Sequence, residues 1–249
     1  MKVHSLHWLL IFLIGIFSAT LCFAARGQFA LVYDGDGACR EGCWQSAAKM
    51  AEQAGFKVRF INANTWSEDK FYDVALWIHP GGQSATAATT MTHEQKSRLR
   101  KFVADGGGYV GFCAGAFIAS AGIRKAKGDV LKPVETFQLI PLLTTLYPEK
   151  RAEAVIYPID WLGTERYLYW EGGPYFEIEK QETVEVIARY SSGEPVTVRN
   201  TYGKGRVFVT GLHPEAPESW RTYFKLNDPD GLDYILAEQM IHWVTEQGY

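Results

Sequence analysis

Along the first half of the chain, two apolar rhythms alternate. QFALVYD (28–34), KVRFINA (57–63), DVALWIHPGG (73–82) and GYVGFC (108–113) are short apolar-rich runs closed by Gly, Pro, Asp or Asn, the pattern of buried strands. Between them lie segments with helical spacing. Cys39 to Gly55 carries Ala47, Ala48, Met50, Ala51 and Ala54 as apolar surface, and Gly55 is its stop. Thr92 caps a second helix running through Asp105, with Glu94 and Gln95 in its first turn and Gly106–Gly108 after its last. AGAFIASAG (114–122) is a short third helix. Strands alternating with helices of this length predict a doubly wound, mostly parallel α/β sheet with helices on both faces.

The pattern changes after residue 150. AEAVIYPID, RYLYWEGGPYFEI, TVEVIARY, EPVTVRNTY and GRVFVTGLH all read as strands with few helices between them, so extra antiparallel strands are expected in the second half. Pro195 restricts the fourth of these at its start, and YGKG (202–205) reads as a hairpin turn. An amphipathic helix, Leu232 to Thr245, closes the chain, with Ile235, Leu236, Met240 and Trp243 expected against the sheet.

The first two dozen residues stand apart from this pattern. Lys2 precedes an apolar stretch from Leu9 to Phe17, and Cys22-Phe23-Ala24 offers small residues for cleavage. Residues 1–24 are therefore read as a Sec-type signal peptide and residues 25–249 as one domain, periplasmic or secreted; an uncleaved leader would instead act as a membrane anchor. The formal net charge of −3 and the lack of a basic run give no footprint for nucleic acid, and no stable membrane partner is expected once the leader is cut. RKAK (124–127) reads as a solvated loop.

Candidate chemistry gathers at three strand ends. Cys113 sits in a strand–turn–helix, where Gly111 and Gly115 relieve crowding and the helix amino end favours a reactive thiolate. A buried structural cysteine fits the same motif. In LHPEAPE (212–218), Pro214 biases His213 toward extended backbone, so Glu215, two residues on, lies on the same side and can orient the imidazole. That is a base and its orienter, the pair that a thiol nucleophile needs. In HPGGQS (79–84), Gly81 and Gly82 allow backbone N–H groups close to an acyl oxygen and, with the N–H of Ala114, could form an oxyanion hole. His79 reads as a turn or packing residue. Tyr167, Tyr169, Trp170, Tyr175 and Phe176 read mainly as packing, with a pocket wall as the alternative; Glu171, in the same run, could contact a substrate amine.

Cys39 and Cys43, in DGDGACREGC, are read as a local disulfide, provided that the helix start is irregular. The alternatives are a redox pair working with Cys113 or half of a metal site, and no further ligand supports zinc.

PGG, then GFCAG, then HPE, in that order, with the YGKGRV hairpin before the last, resembles the class I glutamine amidotransferase superfamily. The resemblance runs from Phe29 to about Trp243. It implies a flavodoxin-like fold, a Cys113–His213–Glu215 triad, an oxyanion hole at the glycine turn and no cofactor. VYDGDG, LWIHPGG and YWEGGPYFE resemble most the amidotransferase-like N-terminal domain of biotin–protein ligases. The resemblance does not extend to biotin transfer. Glutaminases of the superfamily feed ammonia to synthases that commonly spend ATP, and neither is expected outside the cytoplasm. The expected activity is therefore a stand-alone cysteine hydrolase of a C–N bond, amide, γ-glutamyl or peptide, as in secreted γ-glutamyl hydrolases. The partner would be a small amide or peptide substrate; the alternative is a non-catalytic binding module on the same fold.

Overall fold

The computed structural model describes residues 27–40, 42–148, 153–178 and 184–246, and the expected leader lies outside them. β1 (Phe29–Tyr33), α1 (Cys43–Gln53), β2 (Lys57–Ile61) and β3 (Val74–His79) open the chain. Next come α2 (Ser84–Thr90), α3 (His93–Ala104), β4 (Gly108–Phe112) and α4 (Ala114–Ala119). β5 (Gly122–Arg124), β6 (Leu143–Leu146), β7 (Val155–Trp161), β8 (Thr164–Trp170), β9 (Pro174–Glu177) and β10 (Glu185–Tyr190) follow. β11 (Pro195–Tyr202), β12 (Gly205–Thr210), α5 (Glu218–Tyr223) and α6 (Tyr234–Thr245) end the described chain.

Nine strands form one sheet in the order β2-β1-β3-β4-β12-β11-β10-β7-β8, and β5-β6-β9 form a second, smaller one. The strands from β2 through β12 are parallel to one another; from β12 outward to β8 every pairing is antiparallel. The sheet is thus a doubly wound half joined to an antiparallel half, with β12 as the seam.

Alternation along each parallel strand explains why both faces are covered. Ala30, Val32, Leu76, Ile78, Val110, Phe112 and Phe208 point to one face, where α1 and α6 pack with Ala47, Met50, Leu236 and Met240. Leu31, Tyr33, Trp77, Tyr109, Val207 and Val209 point to the other, under α2, α3 and α4, where Phe137 and Phe176 also pack. Thr92 caps α3 as expected, in a full capping box with Gln95.

The structure corrects several boundaries. α1 begins at Cys43 rather than Cys39, because Gly42 takes a left-handed conformation (φ 102°) that the helix cannot include. RYLYWEGGPYFEI is two strands in two sheets, split at Gly172-Gly173. α2 lies between the glycine turn and the Thr92 cap, a stretch to which no element was assigned. In α6 the buried face runs through Leu236, Ala237, Met240, Ile241 and Val244, while Ile235 is half exposed and faces away from the sheet. Arg124 ends β5 and pairs with Glu177 at 2.6 Å, so the RKAK segment is not wholly solvated.

The two glycines around Cys113 set how close α4 lies to the sheet. A Cβ on Gly111 would stand 2.7 Å from the Gly115 backbone, and one on Gly115 would stand 2.3 Å from the His79 carbonyl oxygen. Tyr109 Oη donates to the Gly115 carbonyl at 2.8 Å and pins the contact. Gly115→Ala must push α4 off β3, and a loss of about 1–3 kcal/mol in urea unfolding is expected, as for other overpacked cores.

Candidate active site

Cys113 is the single residue between β4 and α4, held at φ 47°, ψ −99°. Such a backbone is costly for a residue with a side chain and persists only where its surroundings fix it. Its N–H donates to the Thr210 carbonyl of β12 at 2.9 Å, and its carbonyl accepts from the N–H groups of Ala116 and Phe117. The thiol lies 3.6 Å from the Glu171 carbonyl oxygen. It is nearly buried, yet it lines a cavity of about 760 Å³ that is also lined by His213, Glu171, Gly82 and the disulfide-bonded Cys39 and Cys43.

His213 arrives from the next strand. β12 ends at Thr210, whose Oγ1 accepts from the Leu212 N–H, while the His213 N–H donates to the Tyr169 carbonyl at 2.9 Å. The Ala216 N–H then closes a turn on the His213 carbonyl. Within this turn Glu215 Oε1 lies 2.8 Å from His213 Nδ1, and Glu215 is fully buried. With Nδ1 so engaged, Nε2 is the nitrogen left for the Cys113 thiol, which lines the same cavity as the imidazole. Burial opposes a charged ring here, but the Glu215 carboxylate and then the Cys113 sulfur override it and hold His213 well above its ordinary value. His79 behaves oppositely. It stacks on Tyr33 at 4.5 Å, burial alone lowers it to about 3, and it stays neutral as a packing residue.

The expected oxyanion residues divide. Gly81 is pressed against the imidazole: a Cβ there would fall 2.4 Å from His213 Cε1. Its glycine is needed for the histidine's position, and its carbonyl accepts from the Cys39 N–H at 3.1 Å. Gly82, at φ 138°, lines the cavity. Ala114 opens α4, and a first-turn N–H has no partner within its helix. Cys39 and Cys43 brace this corner from outside, with Ala38 bridged to Gly82 and the Gln83 N–H donating to the Gly37 carbonyl at 2.7 Å. Among the described residues no cluster of three His, Cys, Asp or Glu could hold a metal, and no helix is long and apolar enough to cross a membrane.

Two parts of the site escaped the sequence. The first is the crossing of β9's leading loop over the end of β12. A Cβ on Gly173 would stand 1.7 Å from the Gly211 carbonyl oxygen, and one on Gly211 would stand 2.1 Å from that of Pro174. This glycine-on-glycine contact lays Glu171 over Cys113; the EGGP and TGLH glycines were its only trace. The second is α5, whose Trp220 meets the His213 ring edge-on at 5.5 Å. The same cavity wall carries Tyr223 and Phe224. Of the aromatic run singled out from sequence, Tyr169 lines the cavity, whereas Trp170, Tyr175 and Phe176 are core.

A buried ionic network anchors α5. Arg221, 2% exposed, pairs with Asp228 and Asp233 and donates to the Ala216 carbonyl at 2.8 Å. Arg166 of β8 pairs with Asp230 at 2.7 Å and with Asp233 at 2.8 Å.

A family model described as "Biotin-protein ligase, N terminal" matches residues 29–137. A biotin–protein ligase from Schizosaccharomyces pombe is 26% identical over 208 residues, covering 74% of this chain and 33% of the ligase, so the chain spans about a third of that relative's length. A solved glutamine amidotransferase superposes with a TM-score of 0.59 at 21% identity, over 80% of this chain and 97% of the other. A second, from Thermotoga maritima, gives 0.58 at 11% identity, over 89% and 99%. The chain has the class I glutamine amidotransferase-like fold, and its residues 29–137 match the biotin–protein ligase N-terminal family.

Proposed function

We propose that the protein is a cysteine hydrolase of a C–N bond in a small amide or peptide. The observation that carries this reading is the buried Glu215–His213 pair sharing a cavity with Cys113, which sits on a strained elbow. The Cys113 sulfur attacks the carbonyl carbon, and the N–H groups of Ala114 and Gly82 receive the developing oxyanion. Imidazolium His213 donates its proton to the departing nitrogen, and the C–N bond breaks to leave a thioester. Water then gives a proton to His213 and attacks the thioester carbon, releasing the acid and restoring the sulfur. Glu215 holds the ring in the tautomer that faces the sulfur.

Export belongs to the same reading. The Cys39–Cys43 disulfide supports an oxidising compartment, and the apolar leader supports a route to it.

The test is alkylation of the full chain with iodoacetamide, with the label located by mass spectrometry. Cys113 should react readily at pH 7, and His213→Ala should slow it about tenfold or more by removing the group that holds its proton. An inert Cys113 overturns the hydrolase and leaves a binding module on the same fold. A reactive one is followed by a panel of γ-glutamyl and peptide amides, with Cys113→Ser as the control.

A further inference from the structure

The cavity above Cys113 has an uneven chemistry. Its walls are Tyr169, Trp220, Tyr223 and Phe224, and the one carboxylate among its described lining residues is Glu171; none of them is Lys or Arg. Two cations lie close by, and each is matched: His213 lines the cavity but is paired with buried Glu215 at 2.8 Å, and Arg221 is paired with Asp228 and Asp233. Tyr169 Oη donates to Glu171 Oε2 at 2.8 Å, which fixes the carboxylate, and burial together with Glu171 keeps that phenol protonated. Glu171 belongs to the same residue whose backbone carbonyl touches the thiol, so its charge is anchored at the reacting centre. At the rim the aromatic residues are open to water, Tyr223 being 79% exposed and Phe224 42%.

Aromatic faces with one fixed carboxylate attract cations: the ring quadrupole and the negative charge act in the same sense, and along this wall a carboxylated ligand meets repulsion, the imidazolium of His213 being already matched by Glu215. We infer that the site takes a cationic amide, one bearing an ammonium or guanidinium beside the scissile bond, with the charge held between Glu171 and the aromatic wall. This inference rests on the hydrolase reading for its scissile bond, and for that bond it disfavours a substrate whose recognised group is an anion, such as a free γ-glutamyl α-carboxylate.

Binding is measured by isothermal titration on the full chain carrying Cys113→Ser, so that turnover plays no part. Three amides of matched shape are compared: one with a trimethylammonium group, one with a tert-butyl group in its place, and one with a carboxylate. The cationic amide should bind about tenfold more tightly than the neutral one, the order expected of a partly desolvated cation–π contact aided by a carboxylate. The carboxylate amide should bind most weakly. Glu171→Gln, which can still accept from Tyr169, should remove most of the preference, and Tyr223→Ser, at an exposed position, should reduce it without affecting folding. Equal binding of the three, preference for the anion, no binding of any, or an unchanged preference in Glu171→Gln each overturns the inference. Its failure is distinct from that of the hydrolase: an inert Cys113 with the cation preference intact removes the chemistry and keeps the site, and a reactive Cys113 without the preference does the reverse.

Discussion

Arg221→Met is expected to lower the stability of the folded chain by about 3–5 kcal/mol, the cost of leaving buried carboxylates without their cation. For a chain of this length that corresponds to a fall in Tm of about 10 °C. Asp233 is fully buried and would keep only Arg166, while the Ala216 carbonyl would lose its donor. The loss should depend on pH. Burial raises Asp233, the Arg166 and Arg221 guanidiniums pull it back, and the net is about 7 in place of an ordinary 3.8. The folded chain thus holds a proton that the unfolded chain has already released, and the associated stability is complete below pH 3.8 and is lost as pH rises through about 7. In urea unfolding the Arg221→Met deficit should be smaller at pH 5, where Asp233 is neutral, than at pH 8, where its buried charge has lost one of its two cations. An equal deficit at both values would mean that Arg221 acts by packing and not by charge. Because α5 follows directly on the His213–Glu215 turn, the variant should also weaken ligand binding in the cavity.

Under the proposed hydrolase chemistry, Glu215→Gln is expected to slow amide turnover by about 100-fold or more, within the range for general acid–base groups. The substitution keeps the volume and the hydrogen-bonding reach of the side chain but removes its charge. Burial then dominates the imidazole and pushes it down, where the wild-type carboxylate holds it well above its ordinary value. His213 loses its proton at neutral pH, and Cys113 loses the cation beside it. Alkylation of Cys113 measured from pH 5 to 9 should therefore move to higher pH in Glu215→Gln, while a merely structural role would lower the rate equally throughout. Circular dichroism that matches wild type separates this effect from unfolding.

Much of the parallel half was legible because its inner strands β1, β3 and β4 are buried on both faces and glycines close most of its connections. The runs at 28–34, 73–82 and 108–113 needed no tertiary information. α2 was not legible: SATAATT has no apolar stripe, and its burial of Ala87 and Ala88 comes from the neighbours it meets. β5 and β6 were missed for the same reason, since GIR and LTTL are too short to carry a period and pair only because β9 lies beside them. Ile235 was misassigned because α6 is apolar around much of its circumference, and only contact with α1 and the sheet selects the buried face. The positions of Cys113, His213 and Glu215 could be read because local rules placed each of them: an elbow between glycines, a residue before proline, and a partner two residues on. Glu171 and Trp220 come to the site through a crossing of two loops and a buried arginine, and neither leaves a local pattern.

The disulfide at Cys39–Cys43 gives the cavity two unlike jaws. One is a covalently closed loop, hydrogen-bonded to the glycine turn from Gly37 through Gln83, and it cannot widen without disturbing the oxyanion corner. The other is α5, six residues long, held to the body through Arg221 and Trp220, with its outermost ring in solvent. Changes of ligand preference are therefore separable from changes of chemistry. Substitutions at Ser219, Tyr223 and Phe224 can reshape the opening while the elbow, the glycine turn and the histidine stay where the sheet puts them. Directed variation of the proposed amide preference belongs on that helix.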